Sequence, residues 1–102
     1  SVDVLVALLD DAGLDAALSM SQTLRAAGLN VETQFEPRKL ARQMQYADKA
    51  GIRFVAMRGE DEAARGVVAI RDLRRGQQFE VAEHALADAL LQARELREGA
   101  LA

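Results

Sequence analysis

The 102-residue sequence contains no cysteine, no tryptophan and a single histidine, His84. The absence of thiols excludes disulfides, cysteine nucleophiles and the thiolate zinc sites that stabilise many small domains. A transition-metal centre built on one histidine is not expected either. The longest apolar run, Val4–Leu9, is far shorter than the ~20 residues that a membrane-spanning helix requires. We therefore expect one globular domain with no membrane partner.

Excess positive charge is also lacking, because 13 basic residues stand against 16 acidic residues and the formal net charge is −3. This balance argues against non-specific nucleic-acid binding, which favours an excess of Lys and Arg. The distribution is uneven, however, since residues 37 to 58 include only one acid, Asp48. The basic residues of this segment are Arg38, Lys39, Arg42, Lys49, Arg53 and Arg58. Such a segment fits either a docking site for one phosphate-rich ligand or a solvated helix face.

The pattern of apolar residues predicts strands that alternate with helices. Glycines follow the first two predicted helices, as is typical of helix C-termini. A further short helical turn is considered at Asp61–Arg65. The predicted strands are Val2–Leu9, Leu29–Phe35, Ile52–Met57, Val67–Ile70 and Gln77–Val81, and the predicted helices are Leu14–Ala27, Pro37–Ala50 and Ala82–Arg97.

The lengths of the connections predict the strand directions. Each of the first two connections contains a helix of about four turns, so strands 1 to 3 are expected to be parallel. The link between strands 3 and 4 is too short for a crossover, so strand 4 is expected to run antiparallel. A tight turn at 73–76 then returns strand 5 parallel to the first three. The sequence predicts a three-layer α/β domain with a mixed five-stranded sheet and three main helices.

Catalysis within this chain is not expected. The pair Asp10–Asp11 follows the first strand, where it fits either a Mg²⁺ or phospho-acceptor site or, as we favour, the capping of the next helix. Glycine-rich phosphate loops are missing from the sequence. No credible Ser/His/Asp set exists, since His84 lies near the start of the last predicted helix and Ser19 and Ser21 lie inside the first.

The start of the second predicted helix is more informative. Arg38, Lys39 and Arg42 fall in its first one and a half turns, where cations oppose the helix dipole. Free backbone N–H groups and guanidinium groups converge there, which indicates an anion site. Phe35, at the end of the second strand, is placed to stack on a base.

Several segments resemble a known family. Residues 37–51, PRKLARQMQYADKAG, are similar to the G-R-S-L-K-K-Q-L-K-Y-A-D-K-x-G segment of the anticodon-binding domain of class IIa aminoacyl-tRNA synthetases. The segment GEDE at 59–62, followed by Gly66, resembles the family's G-E-x-E and later glycine. The segments IRDL at 70–73 and GQQ at 76–78 resemble its V-[KR]-D-L and G-[ET]-Q. The resemblance is closest to the histidyl branch.

The resemblance implies a non-catalytic domain, residues 1–102, excised from the C-terminal part of a histidine-tRNA ligase, a cytoplasmic enzyme of protein biosynthesis. Its partner would be a histidine-specific tRNA, and the parent protein would be a homodimer. It implies no cofactor in this domain, with ATP and Mg²⁺ bound by the parent's catalytic domain. The RNA contacts that we expect from the resemblance and the residue chemistry are Phe35, Arg38, Lys39, Arg42, Gln43, Glu60, Asp61 and Arg71.

The alternative is a paralogue that kept the fold and lost anticodon reading. It is suggested by departures from the family pattern, such as Pro37 in place of glycine and Ala41 in place of lysine. Such a protein would be a regulatory or structural module.

Overall fold

The computed structural model describes residues 1–96. This part of the chain forms five strands, four α-helices and two short 3₁₀ turns, at Asp11–Gly13 and Glu83–Ala85. The strands are β1 Val4–Val6, β2 Val31–Thr33, β3 Phe54–Met57, β4 Val67–Asp72 and β5 Gln77–Ala82. The α-helices are α1 Leu14–Ala26, α2 Leu40–Lys49, α3 Glu60–Arg65 and α4 Leu86–Arg94.

The strands form one mixed sheet in the order β2-β1-β3-β4-β5. β1 pairs in parallel with both β2 and β3, whereas β4 pairs antiparallel with β3 and with β5. The predicted α/β class and all five strand directions are therefore confirmed. The short β2 lies at one edge of the sheet.

Each face of the sheet packs against helices and buries its own apolar cluster. One face carries β-strand residues such as Phe54 and Ile70, which pack against Leu24 of α1 and Leu90 of α4. The other face carries Leu5, Val55 and neighbouring residues, which pack against α2. Successive strand residues point to opposite faces, so the near-continuous apolar runs of β1 and β3 supply both clusters. The result is the predicted three-layer arrangement.

Two predicted helix boundaries are wrong. The second helix was expected to begin at Pro37 but begins at Leu40, because Lys39 is extended and the Arg38 N–H donates to the Leu8 carbonyl, 3.3 Å away. The last helix was expected from Ala82, but a 3₁₀ turn precedes α4. Arg97, the predicted end of that helix, lies outside the described residues. α3 corresponds to the helical turn considered at 61–65.

A buried ion pair links the start of β3 and the end of β4 to the end of α4. The Arg53 guanidinium donates to both carboxylate oxygens of Asp72, at 3.0 and 2.9 Å. Arg53 Nη1 also donates to the Leu96 carbonyl at 2.6 Å, just beyond α4. Asp72 accepts two further bonds, from the backbone N–H groups of Arg74 and Arg75 in the β4–β5 turn. Arg53 therefore serves the fold and is not part of the basic surface that the sequence suggested.

Candidate nucleic-acid interface

The beginning of α2 is fixed against the carboxyl end of β1 by a buried amide. The Leu8 N–H donates to Gln43 Oε1 at 3.0 Å, and Gln43 Nε2 donates to the Leu8 carbonyl at 2.8 Å. Gln43 Nε2 also donates to the Arg38 carbonyl at 2.8 Å. Because a buried polar group must find partners, this set of bonds holds the 38–43 segment in one position on the sheet.

Three cations surround this helix start. Arg38 and Lys39 precede the helix and Arg42 lies in its first turn, which contains no acidic residue. Arg38 donates to the Glu36 carboxylate at 2.6 Å. Among residues 1–96, Lys39 and Arg42 have no ion-pair partner, and both are exposed. The other cations of the basic segment lie elsewhere: Lys49 ends α2, Arg53 is buried, and Arg58 pairs with Glu83. Of the predicted basic region, only Arg38, Lys39 and Arg42 lie together, at the start of α2.

A polar groove of about 360 Å³ runs between the edge strand β2 and α2. Arg38 and Arg42 supply the positive charge of this groove. The same two arginines also line a second, shallow groove, which includes Lys39. The Tyr46 hydroxyl donates to Glu32 Oε2. This hydrogen bond, together with partial burial and the Glu32 charge, raises the pKa of Tyr46 above its ordinary value. The groove is lined by Glu32, Gln34, Arg38, Arg42, Gln43 and Tyr46.

Phe35 lies just after β2 and just before the cations. Its side chain is 65% exposed, more than the other large hydrophobic residues exposed within 1–96. An exposed aromatic ring offers a stacking surface for an unpaired base, and Phe35 precedes Lys39 by four residues along the chain. Phe35 follows β2, at the end of the second strand as expected, and its base-stacking role stays a prediction.

The acidic residues after β3 lie at the same edge of the sheet. Gly59 is next to Leu9, since a Cβ built on Gly59 would lie 3.5 Å from Leu9 Cδ1. Glu60 is exposed and has no hydrogen bond or ion pair within the described residues. Asp61 accepts from Arg65 at 2.7 and 3.1 Å, and this bond and the charge of Arg65 lower the pKa of Asp61. Asp61 is thus already engaged, whereas Glu60 is free to accept a donor.

Arg71 is not brought together with these residues. It lies opposite Val55 on one side and Gln78 on the other, away from the carboxyl end of β3. Its guanidinium donates only weakly to Gln78, at 3.4 Å. Arg71 shares the α2 face of the sheet but is separated along the strands from the start of α2.

Asp10, the first residue of the acidic pair after β1, has a local role. Asp10 Oδ1 accepts from the Gly13 N–H at 3.0 Å and caps the 3₁₀ turn that leads into α1. Asp10 therefore caps the turn before α1, whereas α1 itself, which begins after Gly13, has no side-chain cap. Within residues 1–96, no group of three or more His, Cys, Asp or Glu side chains could hold a metal ion. No helix in the same range has the length and apolar character needed to cross a bilayer.

The model of the family described as "Anticodon binding domain" matches residues 3–93. The chain belongs to this family. The match covers all five strands of the sheet and the interface residues described above, so the resemblance found in the 37–51 and 59–78 segments is confirmed.

Over most of its length the chain is similar to curated histidine–tRNA ligases. It is 57% identical over 90 residues to histidine–tRNA ligase from Stenotrophomonas maltophilia (strain K279a), which is 88% of this chain and 19% of that protein. It is 53% identical over 90 residues to histidine–tRNA ligase from Xylella fastidiosa (strain M23), with the same two shares. The chain thus spans about a fifth of the length of these curated relatives.

Two solved structures of aminoacyl-tRNA synthetases have a similar fold. Histidyl-tRNA synthetase from Nostoc sp. PCC 7120 superposes with a TM-score of 0.88 at 44% identity, covering 91% of this chain and 22% of that chain. The RNA binding domain of threonyl-tRNA synthetase from Cryptosporidium parvum Iowa II superposes with a TM-score of 0.80 at 15% identity, covering 89% of this chain and 23% of that chain. The second likeness is one of fold alone.

Two features of this anticodon-binding domain differ from the sequence expectation. Gln43 was expected to reach a base edge, but it is 2% exposed and its amide bonds to backbone groups. Its role in the structure is to hold the start of α2 against the end of β1. The groove residues Glu32, Gln34 and Tyr46 were missed. A signal was present, because Gln34, just after β2, is two residues from Glu32 in β2, and Tyr46 lies one helical turn after Arg42.

Proposed function

We propose that this chain binds the anticodon loop of a histidine tRNA, as the anticodon-binding domain of a histidyl-tRNA synthetase, and carries out no catalysis itself. The observation that carries the proposal is the exposed set of Lys39, Arg42 and Phe35 at one edge of the sheet. Cations without a protein partner are available to phosphates, and an exposed aromatic ring is available to an unstacked base. The identity to histidine–tRNA ligases supports the choice of tRNA.

The direct contacts proposed are Phe35, Arg38, Lys39, Arg42 and Glu60. Arg38, Lys39 and Arg42 would neutralise phosphates, and Glu60 would accept from a base amino group. Asp61 and Arg71 are further candidates that would have to exchange or extend their present bonds.

The proposal extends to the longer protein of which such domains form about a fifth. In that protein, aminoacylation with ATP and Mg²⁺ would belong to a separate catalytic domain, and this domain would hold no cofactor. We propose a homodimeric cytoplasmic ligase, in which this domain adds recognition of the anticodon to contacts made elsewhere on the tRNA.

The test is binding of the domain to the anticodon stem-loop of a histidine tRNA and to a stem-loop with a scrambled anticodon, at ~50 and ~200 mM salt. We expect tighter binding to the cognate loop at both salt concentrations. Arg42→Ala should weaken binding and reduce the slope of log affinity against log salt by about 0.7 to 1. Lys49→Ala removes the same charge from the far end of α2 and is the matched control.

Equal binding to both loops, or none, would contradict anticodon reading and favour a regulatory or structural module of a synthetase-like protein. Equal effects of Arg42→Ala and Lys49→Ala would show that only net charge matters and that the start of α2 is not the contact surface.

A further inference from the structure

The groove between β2 and α2 holds a carboxylate with unused acceptor capacity. Glu32 is half-buried, and its Oε2 accepts from the Tyr46 hydroxyl. Its Oε1 has no hydrogen bond among residues 1–96, and neither Arg38 nor Arg42 forms an ion pair with it. A carboxylate that lies in a cationic groove and is left unpaired by those cations is available to a ligand that brings its own donors.

The groove also constrains how a ligand would approach. One of its lining residues is Gln43, whose amide oxygen and nitrogen both bond to backbone groups. Its volume of about 360 Å³ lies within the range of roughly 300–1,000 Å³ that is typical of small-molecule sites. Arg42 at its margin can hold a phosphate while the ligand inside contacts Glu32. These features suit one unpaired nucleotide, with its base in the groove and its phosphate outside.

The four bases differ in the hydrogen-bond donors that they can offer to the Glu32 carboxylate. An ionised carboxylate offers acceptors only. Guanine presents two adjacent donors on its Watson–Crick edge, the N1–H and the exocyclic N2 amino group, which match the two oxygens of a carboxylate. Adenine and cytosine present one amino group next to a ring nitrogen acceptor, and uracil presents one N–H between two carbonyls. In those three bases an acceptor would face the Glu32 charge.

We propose that the β2–α2 groove receives one guanine of the bound RNA loop and that Glu32, held by Tyr46, is the residue that reads it. This inference rests on the proposed function, because it assigns a base to one part of the same interface. Arg38 and Arg42 supply affinity for the backbone, and Glu32 supplies the choice of base.

The experiment measures binding of the domain to the histidine anticodon stem-loop in which each loop guanine is replaced in turn by inosine, which lacks the N2 amino group. At one position, inosine should weaken binding to the wild-type domain by roughly tenfold, as expected for the loss of part of a bidentate pair. In Glu32→Gln, which replaces one acceptor by a donor but still accepts from Tyr46, the difference between guanine and inosine at that position should disappear. Asp15→Asn, on α1, makes the same charge change away from the groove and should retain it.

The possible failures are distinguishable. If no inosine substitution weakens binding while Arg42→Ala does, the guanine assignment is overturned and the proposed function stands. If Glu32→Gln and Asp15→Asn raise affinity for all loops alike, Glu32 acts through charge only and the assignment is again overturned. If the wild-type domain does not distinguish the cognate from the scrambled loop, the proposed function fails and the guanine assignment fails with it.

Discussion

The buried pair of Arg53 and Asp72 makes a sharp prediction about stability. Their side chains are only 8% and 3% exposed, and they share two parallel hydrogen bonds. Replacing Asp72 with alanine removes both acceptors and leaves the guanidinium buried beside Phe54, 4.8 Å from the ring centroid. The guanidinium would keep only its bonds to carbonyls at the end of α4, including that of Leu96. An uncompensated buried charge is the expected consequence.

The magnitude follows from the burial of the pair. Removal of one partner from a buried ion pair costs about 3–5 kcal/mol, because the remaining charge keeps its desolvation penalty without its attraction. A domain of this size has a total stability of about 5–15 kcal/mol, so the Asp72→Ala variant should lose a large share of it. A double variant, Arg53→Met with Asp72→Leu, should recover much of the loss, since apolar replacement of a buried pair is often nearly neutral.

Urea denaturation followed by far-ultraviolet circular dichroism measures these differences. Glu36→Ala is the matched control, because it also removes a carboxylate that accepts from an arginine, but in an exposed pair worth about 0–1 kcal/mol. A loss below about 1 kcal/mol for Asp72→Ala, equal to that of the control, would refute the reasoning. It would mean that water reaches Arg53 once the carboxylate is gone.

Two further predictions concern unfolding. Gln43→Leu should cost about 1–3 kcal/mol in thermal unfolding, because it leaves the buried Leu8 N–H without its acceptor. Gln45→Leu, at an exposed site of the same helix, should change stability by about 0.5 kcal/mol or less. A similar cost for both variants would contradict the role given to Gln43. The pH dependence follows from Asp72: burial alone would raise its pKa, but the bonds from Arg53 and the turn N–H groups outweigh burial and lower it. The unfolded chain then binds the proton first, so the stabilisation is present above the unfolded pKa of about 3.9 and is lost as the pH falls through the lower folded pKa. Urea unfolding between about pH 3 and 6 should show a smaller acid loss in Asp72→Asn, and equal losses would contradict the assignment.

The sequence predicted the fold well because the information that fixes it is local. Apolar runs, turn glycines and connection lengths determine the strand directions, and each can be read within a few residues. The order of strands across the sheet was not predicted, since it depends on which edges pair. The start of α2 was misplaced by three residues because the bond between the Arg38 N–H and the Leu8 carbonyl is not visible in a one-dimensional pattern.

The accessibility of the proposed contact residues could be predicted only in part, for a related reason. Charge and aromatic content are properties of the residue itself, so Phe35, Lys39 and Arg42 could be chosen without coordinates. Whether a charge is free depends on partners from distant segments. Arg53 lies in the same basic stretch as Arg42, but Asp72, 19 residues later, removes it from the surface. Counting cations therefore overestimated the basic surface.

Gln43 shows how a misassigned residue can still matter to the site. A polar side chain beside cations was interpreted as a contact, yet its partner Leu8 lies 35 residues earlier, at a point where β1 has left its regular pairing with β2 and β3. The amide supplies the donor and acceptor that a neighbouring strand would otherwise provide, and in doing so it ties the first turn of α2 to the sheet. The position of Arg42 beside the groove is thus fixed by a side chain that is almost entirely buried. Charged residues make up the proposed contact surface, and a neutral buried amide fixes the segment that carries them.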